Sequence, residues 1–292
     1  MRILVYGADG MLGHMIVRHL NKNHDVYATI RDEKPMEHYK SFVGISENCL
    51  VTGIDAYRFD TITRIFKKIR PDVVINCIGL VKQRKEASNY ISAIKLNSLL
   101  PHQLAEICTS SGTRLIHFST DCVFSGLRGN YCEEDVPDPV DLYGRSKLLG
   151  ELDNPNCLTL RTSIMGWELR NKGGLLEWFA AQRGKKVMGF KNAIYSGLST
   201  STAVRLVEIL LQKWPQLCGL YHASSKPISK FEILTMLKSE LGWHDILIEE
   251  DVSFICDRSI NSAKLSKETG WFAPEWQRMI EELARERHLY EN

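Results

Sequence analysis

The stretch Ile3-Leu4-Val5-Tyr6-Gly7-Ala8-Asp9-Gly10-Met11-Leu12-Gly13 decides the fold. Four apolar residues read as a short buried strand, and apolar residues at helical spacing run over 11–21. Between them Gly7, Gly10 and Gly13 recur at every third position. Glycines there let the backbone turn sharply and approach a pyrophosphate, whose charge then faces a helix N-terminus. The pattern is G-x-x-G-x-x-G, and a glycine triplet also serves as plain turn punctuation. Its place between a strand and a helix selects the phosphate-loop reading.

Working outward, strand and helix patterns alternate. Strands are expected over 25–30, 73–77, 114–118 and 158–161. Helices are expected over 61–70, where Pro71 stops the run, over 87–111 with a kink at Pro101, and over 143–152. Val73 to Cys77 is apolar on both faces, as a central parallel strand requires. This alternation predicts an α/β fold with a Rossmann-type doubly wound parallel sheet. After Ser163 the pattern changes, and all six tryptophans lie there. Helices are expected over 200–213, 229–241 and 275–288, the second opened by a capping box from Ser229 to Glu232. The expected division is a cofactor-binding domain over 1–165, rejoined by about 200–222. A smaller α/β substrate-binding domain fills most of 166–292.

The 292 residues carry 37 Lys plus Arg against 35 Asp plus Glu, so no basic footprint for nucleic acid shows in the totals. Apolar content of 44% and charged content of 25% exclude collagen, wholesale disorder and coiled coil. The eight cysteines include no C-x-x-C pair, which argues for reduced thiols and against a zinc ribbon. No metal site is expected, since His14, His19 and His24 do not share a helical face. No apolar run reaches a membrane span, and the N-terminus is too short for a signal segment. Cytoplasmic localisation is the expectation, with no membrane or nucleic-acid partner and a homodimer left open.

The end of the second strand discriminates between cofactors. An acidic residue there would bind the ribose 2′-hydroxyl of NAD(H). Here the chain reads Thr29-Ile30-Arg31, and Arg31 suits a 2′-phosphate. NADP(H) is therefore preferred, with NAD(H) left open because Asp32 stands next door. Further on, Tyr143-Gly144-Arg145-Ser146-Lys147 sets a phenol and an ammonium four residues apart, on one helical face. The cation is expected to lower the phenol pKa toward neutrality, as proton exchange with a carbonyl oxygen wants. Thr120, at the carboxyl end of the 114–118 strand, can bring its hydroxyl to the same oxygen.

Together these residues resemble the extended short-chain dehydrogenase/reductase superfamily, and within it the dTDP-4-dehydrorhamnose reductase family. The resemblance covers most of the chain. It is carried by G-A-D-G-M-L-G from Gly7, P-D-V-V-I-N-C-I-G from Pro71, L-N-S-L-L-P from Leu96 and F-S-T-D-C-V-F-S-G from Phe118. Y-G-R-S-K from Tyr143, L-R-T-S from Leu160, G-L-Y-H-A-S from Gly219 and R-S-I-N-S from Arg258 continue it.

The resemblance implies catalytic roles for Thr120, Tyr143 and Lys147. It implies that Gly7, Asp9, Gly10, Met11, Leu12 and Gly13 line the cofactor phosphates, and that Asp60 contacts the adenine. Cys77, Ile78 and Gly79 would meet the adenosine and ribose side, and Asn97 would support the active-site helix within the cofactor site. Asp121, Val123 and Phe124 would border the sugar beside Thr120 and Tyr143, and Arg258 would pair with the nucleotide diphosphate.

The sequence departs from the family on the substrate side. Cys122 replaces the usual tyrosine, Ser259 replaces a proline, and residues 166–178 differ from the usual substrate loop. Dehydration is disfavoured because Thr120-Asp121 is followed by Cys122, with no glutamate acid/base. The implied activity is NADPH-dependent reduction of the 4-keto group of a nucleotide-linked 4-dehydro-6-deoxy sugar. The first candidate is dTDP-4-dehydro-L-rhamnose, converted to dTDP-L-rhamnose for cell-surface polysaccharide precursors. A UDP-linked N-acetylated 4-keto sugar is the alternative substrate. A non-catalytic NADP-binding regulatory subunit is the alternative of another class.

Overall fold

A computed structural model describes residues 1–82, 88–170 and 172–291. The chain opens with β1 (Arg2–Tyr6), α1 (Met11–Leu20), β2 (Asp25–Thr29), α2 (Tyr39–Val43), β3 (Leu50–Val51), α3 (Phe59–Ile69) and β4 (Val73–Asn76). It continues with α4 (Tyr90–Ala93), a π-helical turn (Ile94–Leu99), α5 (Leu100–Ser111), β5 (Arg114–Ser119), α6 (Leu142–Leu148) and β6 (Cys157–Arg161). Then come β7 (Ile164–Met165), α7 (Leu175–Ala180), β8 (Lys186–Phe190), β9 (Ala193–Tyr195), β10 (Leu198–Ser199), α8 (Thr200–Gln212) and β11 (Gly219–His222). The last elements are β12 (Ile228–Ser229), α9 (Lys230–Glu240), β13 (Leu247–Asp251), β14 (Cys256–Asp257), α10 (Ala263–Thr269) and α11 (Trp276–Glu286).

Seven strands form one sheet in the order β11-β6-β5-β4-β1-β2-β3. All its pairings are parallel. The order reverses between β1 and β4, so a crevice opens at their carboxyl ends, where ligands of such sheets bind. Alternation along β1 feeds two cores. Ile3 and Val5 face a cluster with Ile16, Val204 and Leu210, while Leu4 and Tyr6 face Ile62, Leu104 and Leu115. Helices therefore cover both faces, as an all-parallel sheet needs.

The segment after Ser163 contributes twice. Strand β11 extends the main sheet beside β6, and α8 packs on α1. The rest builds a third core from Trp167, Phe179, Leu237, Trp243, Trp276 and Leu283. Short strand pairs, β7 with β10, β8 with β13, and β9 between β12 and β14, hold its outer parts. The capping box at Ser229 and Glu232 is present.

Pro101 lies inside one continuous helical run from Tyr90 to Ser111, two residues past its π-helical turn. The irregularity falls just before it, in the π-helical turn over Ile94–Leu99. The expected helix start at Ala87 lies outside the described residues. Strand β3 is two residues long, too short for a periodic signal. Among the described residues, no helix is long and apolar enough to cross a membrane, and no cluster of side chains suits a metal ion.

Candidate active site

The glycine turn joins β1 to α1 at the crevice. Gly7 has φ +77°, and a Cβ there would lie 3.0 Å from the Cys77 carbonyl carbon and from Ile78 N. Cys77 and Ile78 thus form the floor against which the turn packs, while Gly79 faces Asn97 Oδ1, 3.6 Å from where its Cβ would lie. Gly13 sits beneath the same turn, where a Cβ would fall 2.1 Å from the Gly7 carbonyl oxygen. Gly10 caps α1 without a side-chain partner, and the first turn of α1 carries no acidic residue. The backbone N–H groups at Met11 and Leu12, with the positive end of the helix, are thus suited to an anion. This cradle fits a dinucleotide pyrophosphate. Asp9 points elsewhere, to an ion pair with Arg170 at 3.3 Å.

Beyond β2, Arg31 is two-thirds exposed, with Nε 3.8 Å from Asp32. Asp32 is bound by Arg170, whose guanidinium holds its carboxyl below the usual range. Asp60 lies in the first turn of α3, 67% exposed and paired with Arg58. Beside the end of β2 pack Gly53, which donates to the Asp32 carbonyl at 3.4 Å, and Ile54, which donates to Ile30 at 3.0 Å. The register of a two-residue edge strand decides this.

At the carboxyl end of β5, Thr120 Oγ1 donates to Asp121 at 3.1 Å and accepts the Cys122 N–H at 3.1 Å. Helix α6 faces this turn. Asp141 caps it by accepting the Gly144 N–H at 2.8 Å. Gly144 permits close approach, since a Cβ would fall 2.2 Å from the Cys122 carbonyl oxygen. Tyr143 and Lys147 thereby reach the crevice from one helix, with the Thr120 hydroxyl beside the Tyr143 phenol.

The expected fall in the phenol pKa is reversed. Burial, and then the neighbouring Cys122, push Tyr143 upward against the favourable Thr120 hydroxyl. Lys147 does not counter this, because its Nζ is held at 2.5 Å by the Phe118 carbonyl. Burial lowers Lys147 itself to about 8, opposed by Glu151. Desolvation outweighs the Tyr–Lys attraction that spacing alone suggests.

Asn97 is fully enclosed rather than open to the crevice. Its Oδ1 accepts Leu80 N at 2.8 Å, and its Nδ2 donates to Leu80 O and Ser146 Oγ, each at 3.0 Å. It braces the loop after β4 against α6. The π-helical turn around it is the kind of irregularity that recurs at functional sites. A second brace starts at Ser119, which donates to Glu151 at 2.6 Å. Glu151 takes two hydrogen bonds from Arg161, both 2.8 Å, and Arg161 meets His222 at 3.2 Å. Burial, then Arg161, lowers His222 to about 3, so its imidazole is neutral.

The third wall comes from distant segments. Arg258 donates through Nε to the Phe124 carbonyl at 3.0 Å, and its Nη1 lies 3.8 Å from Cys122 Sγ. Burial pushes the Cys122 thiol up to about 12, so it is protonated and inert. Burial likewise raises Asp121, opposed first by the Thr120 hydroxyl. Val123 and Phe124 do not border the site through their side chains. Both are fully buried in a satellite core with Tyr131 and Ile260, where Phe124 stacks on Tyr131 at 4.2 Å. One residue of this wall escaped the sequence reading. Tyr195 is directed to the Ser163 hydroxyl and interacts electrostatically with Asp121 and Cys122. No local pattern marks Tyr195; it sits in a three-residue strand placed by its pairing with β12 and β14.

The family model described as RmlD substrate binding domain matches residues 1–286. A Haloferax volcanii protein named "Probable low-salt glycan biosynthesis reductase Agl14" is 33% identical over 56% of this chain and 54% of its own length. In that comparison the chain spans about half of the relative. A dTDP-4-dehydrorhamnose reductase of Aggregatibacter actinomycetemcomitans is 24% identical over 97% of this chain and 98% of its own. Among solved structures, a dTDP-4-dehydrorhamnose reductase of Bacillus anthracis in complex with NADP superposes with TM-score 0.80. It is 22% identical and covers 98% of this chain and 99% of its own, which shows a shared fold. The match over nearly the whole length, on a seven-stranded parallel sheet with an intact glycine turn, means that this chain belongs to the RmlD substrate-binding domain family.

Proposed function

We propose that this chain is an NADP(H)-dependent oxidoreductase that reduces the 4-keto group of a nucleotide-linked 4-dehydro-6-deoxy sugar. Its first candidate substrate is dTDP-4-dehydro-L-rhamnose. NAD(H) is the secondary cofactor, and residues 166–292 supply most of the sugar-nucleotide contacts. The observation that carries the reading is the convergence of Thr120, Tyr143 and Lys147 at the carboxyl end of β5, with only β4 between it and the strand that leads into the glycine turn. The name of the Aggregatibacter actinomycetemcomitans relative, a dTDP-4-dehydrorhamnose reductase, supports the sugar-nucleotide class.

When bound, the dinucleotide supplies hydride to a carbonyl carbon. The residues of this chain do the rest. The glycine turn and the first turn of α1 hold the diphosphate. Tyr143, kept protonated by its raised pKa, donates its phenolic proton to the carbonyl oxygen. The Thr120 hydroxyl swings its single hydrogen from Asp121 to the substrate oxygen, orienting it and donating to the developing alkoxide. Lys147, charged below about pH 8, adds positive potential under the site. Arg258 is aimed by the Phe124 carbonyl toward the sugar-nucleotide diphosphate.

The test is consumption of NADPH, followed by nicotinamide absorbance, with dTDP- and UDP-linked 4-keto-6-deoxy sugars. Turnover of a dTDP-linked sugar is the expected result. Preference for a UDP-linked N-acetylated sugar would move the substrate assignment. Tight NADPH binding with no turnover of any of them would favour a non-catalytic regulatory role.

A further inference from the structure

Arg170 follows β7 and lies outside the strand–helix frame, yet its guanidinium reaches the cofactor side. Its Nε is 3.3 Å from Asp9 in the glycine turn, and its Nη1 pairs with Asp32 just beyond β2. Only 23% of the side chain is exposed. The Nε hydrogen is shielded from water and has no aligned acceptor among the described residues. Leu169 anchors the segment by packing on the core beneath α1. In this architecture the glycine turn marks the pyrophosphate and the end of the second strand marks the adenosine ribose. An arginine that spans Asp9 and Asp32 stands over the ribose position.

We propose that Arg170 selects for a 2′-phosphorylated adenine dinucleotide by exchanging its two carboxylate partners for the 2′-phosphate. Asp32 is then the acceptor for the 2′-hydroxyl of an unphosphorylated one. The inference rests on the dinucleotide reading above and assigns its selectivity to a residue from the far side of the crevice. Exposure decides between the two arginines. Arg31 is 67% exposed, so water screens it, whereas Arg170 is mostly enclosed and already aimed. A phosphate dianion offers the guanidinium fork a bidentate, charge-assisted pair, and it satisfies the Nε hydrogen that neither carboxylate now accepts. Asp32 is 44% exposed, so releasing it to solvent costs little.

The test uses the whole chain and calorimetric titration with 2′,5′-ADP and with ADP, which carry no nicotinamide and need no turnover. The wild-type chain is expected to prefer 2′,5′-ADP. Arg170→Ala is expected to cut that preference about tenfold or more, chiefly by weakening 2′,5′-ADP. Arg170→Lys, which keeps the charge and loses the fork, should retain part of it. Asp32→Asn is expected to raise the preference, because it removes a competing partner and a negative neighbour of the phosphate. A thermal melt checks that each variant is folded. A preference unchanged in Arg170→Ala, or lowered in Asp32→Asn, overturns the role of Arg170 and leaves the dinucleotide reading standing. A wild-type chain that binds neither probe overturns both.

Discussion

The two walls of the crevice are built differently. The cofactor wall is backbone: a left-handed Gly7, a close approach at Gly13, and a helix N-terminus without a side-chain cap. The part that would hold the phosphates lies within one strand, one turn and one helix. The substrate wall is side chain: Cys122, Tyr195 and Arg258 come from three segments spread over nearly half the chain. A site made of local backbone geometry imposes residue types at fixed spacing. A site made of distant side chains imposes only a location. The first kind shows in the sequence as a pattern, while the second leaves no local signal.

Mutations can break or sharpen that contrast. The largest effect is expected at the junction of the two walls. Tyr143→Phe should lower turnover by about 10²–10⁴-fold, the usual worth of a positioned proton donor, while NADPH affinity holds. Near-normal turnover in the absorbance assay would remove the phenol from the chemistry. Next is the brace behind the junction. Arg161→Ala strands the buried Glu151 carboxylate and should cost about 3–5 kcal/mol in urea denaturation. Lys226→Ala, at an ion pair with both side chains largely exposed, should leave the midpoint unmoved. Equal effects would mean that Glu151 finds water in place of its partner.

A smaller effect is expected where backbone meets backbone. Gly144→Ala drives a Cβ toward the Cys122 carbonyl and should cost about 1–3 kcal/mol of stability. It should also lower turnover by separating Tyr143 from Thr120. A pH profile separates the two groups on α6. Lys147 has its pKa lowered to about 8, so its ammonium is present below that pH and lost above it. Turnover should therefore fall as pH rises through about 8, while Tyr143, shifted upward, stays protonated. A profile flat to pH 10, close to the ordinary lysine value of about 10.4, would show that the lysine charge is not used. The smallest effect belongs to the exposed Arg31. Arg31→Asp should weaken NADPH more than NADH, by less than about tenfold in a binding titration. Equal loss for both cofactors would show that Arg31 does not sense the 2′-phosphate.

Much of the site was legible. Gly7, Gly10 and Gly13 stand where the pattern puts them, and Thr120, Tyr143 and Lys147 converge as their order in the chain implies. What spacing could not weigh was desolvation. Four residues apart on a helix suggests that Lys147 stabilises a phenolate, yet burial and the Phe118 carbonyl turn the outcome around. Nor could it weigh register. The two-residue strand β3 brings Gly53 and Ile54 to the end of β2, and no periodicity announces it. Val123 and Phe124 fall within a motif associated with the sugar, and packing on Tyr131 draws both away from it.

The amino-acid order alone determined the parallel sheet, the phosphate turn and the helix that carries a phenol and an ammonium on one side. Each is set by contacts between near neighbours, where periodicity, glycine and proline act directly. Only the tertiary structure decided that Arg170 spans Asp9 and Asp32, that Tyr195 joins Ser163 beside Cys122, and that a protonated phenol is the resting form. Those outcomes depend on burial and on which remote segments meet, and both arise from the packed core as a whole.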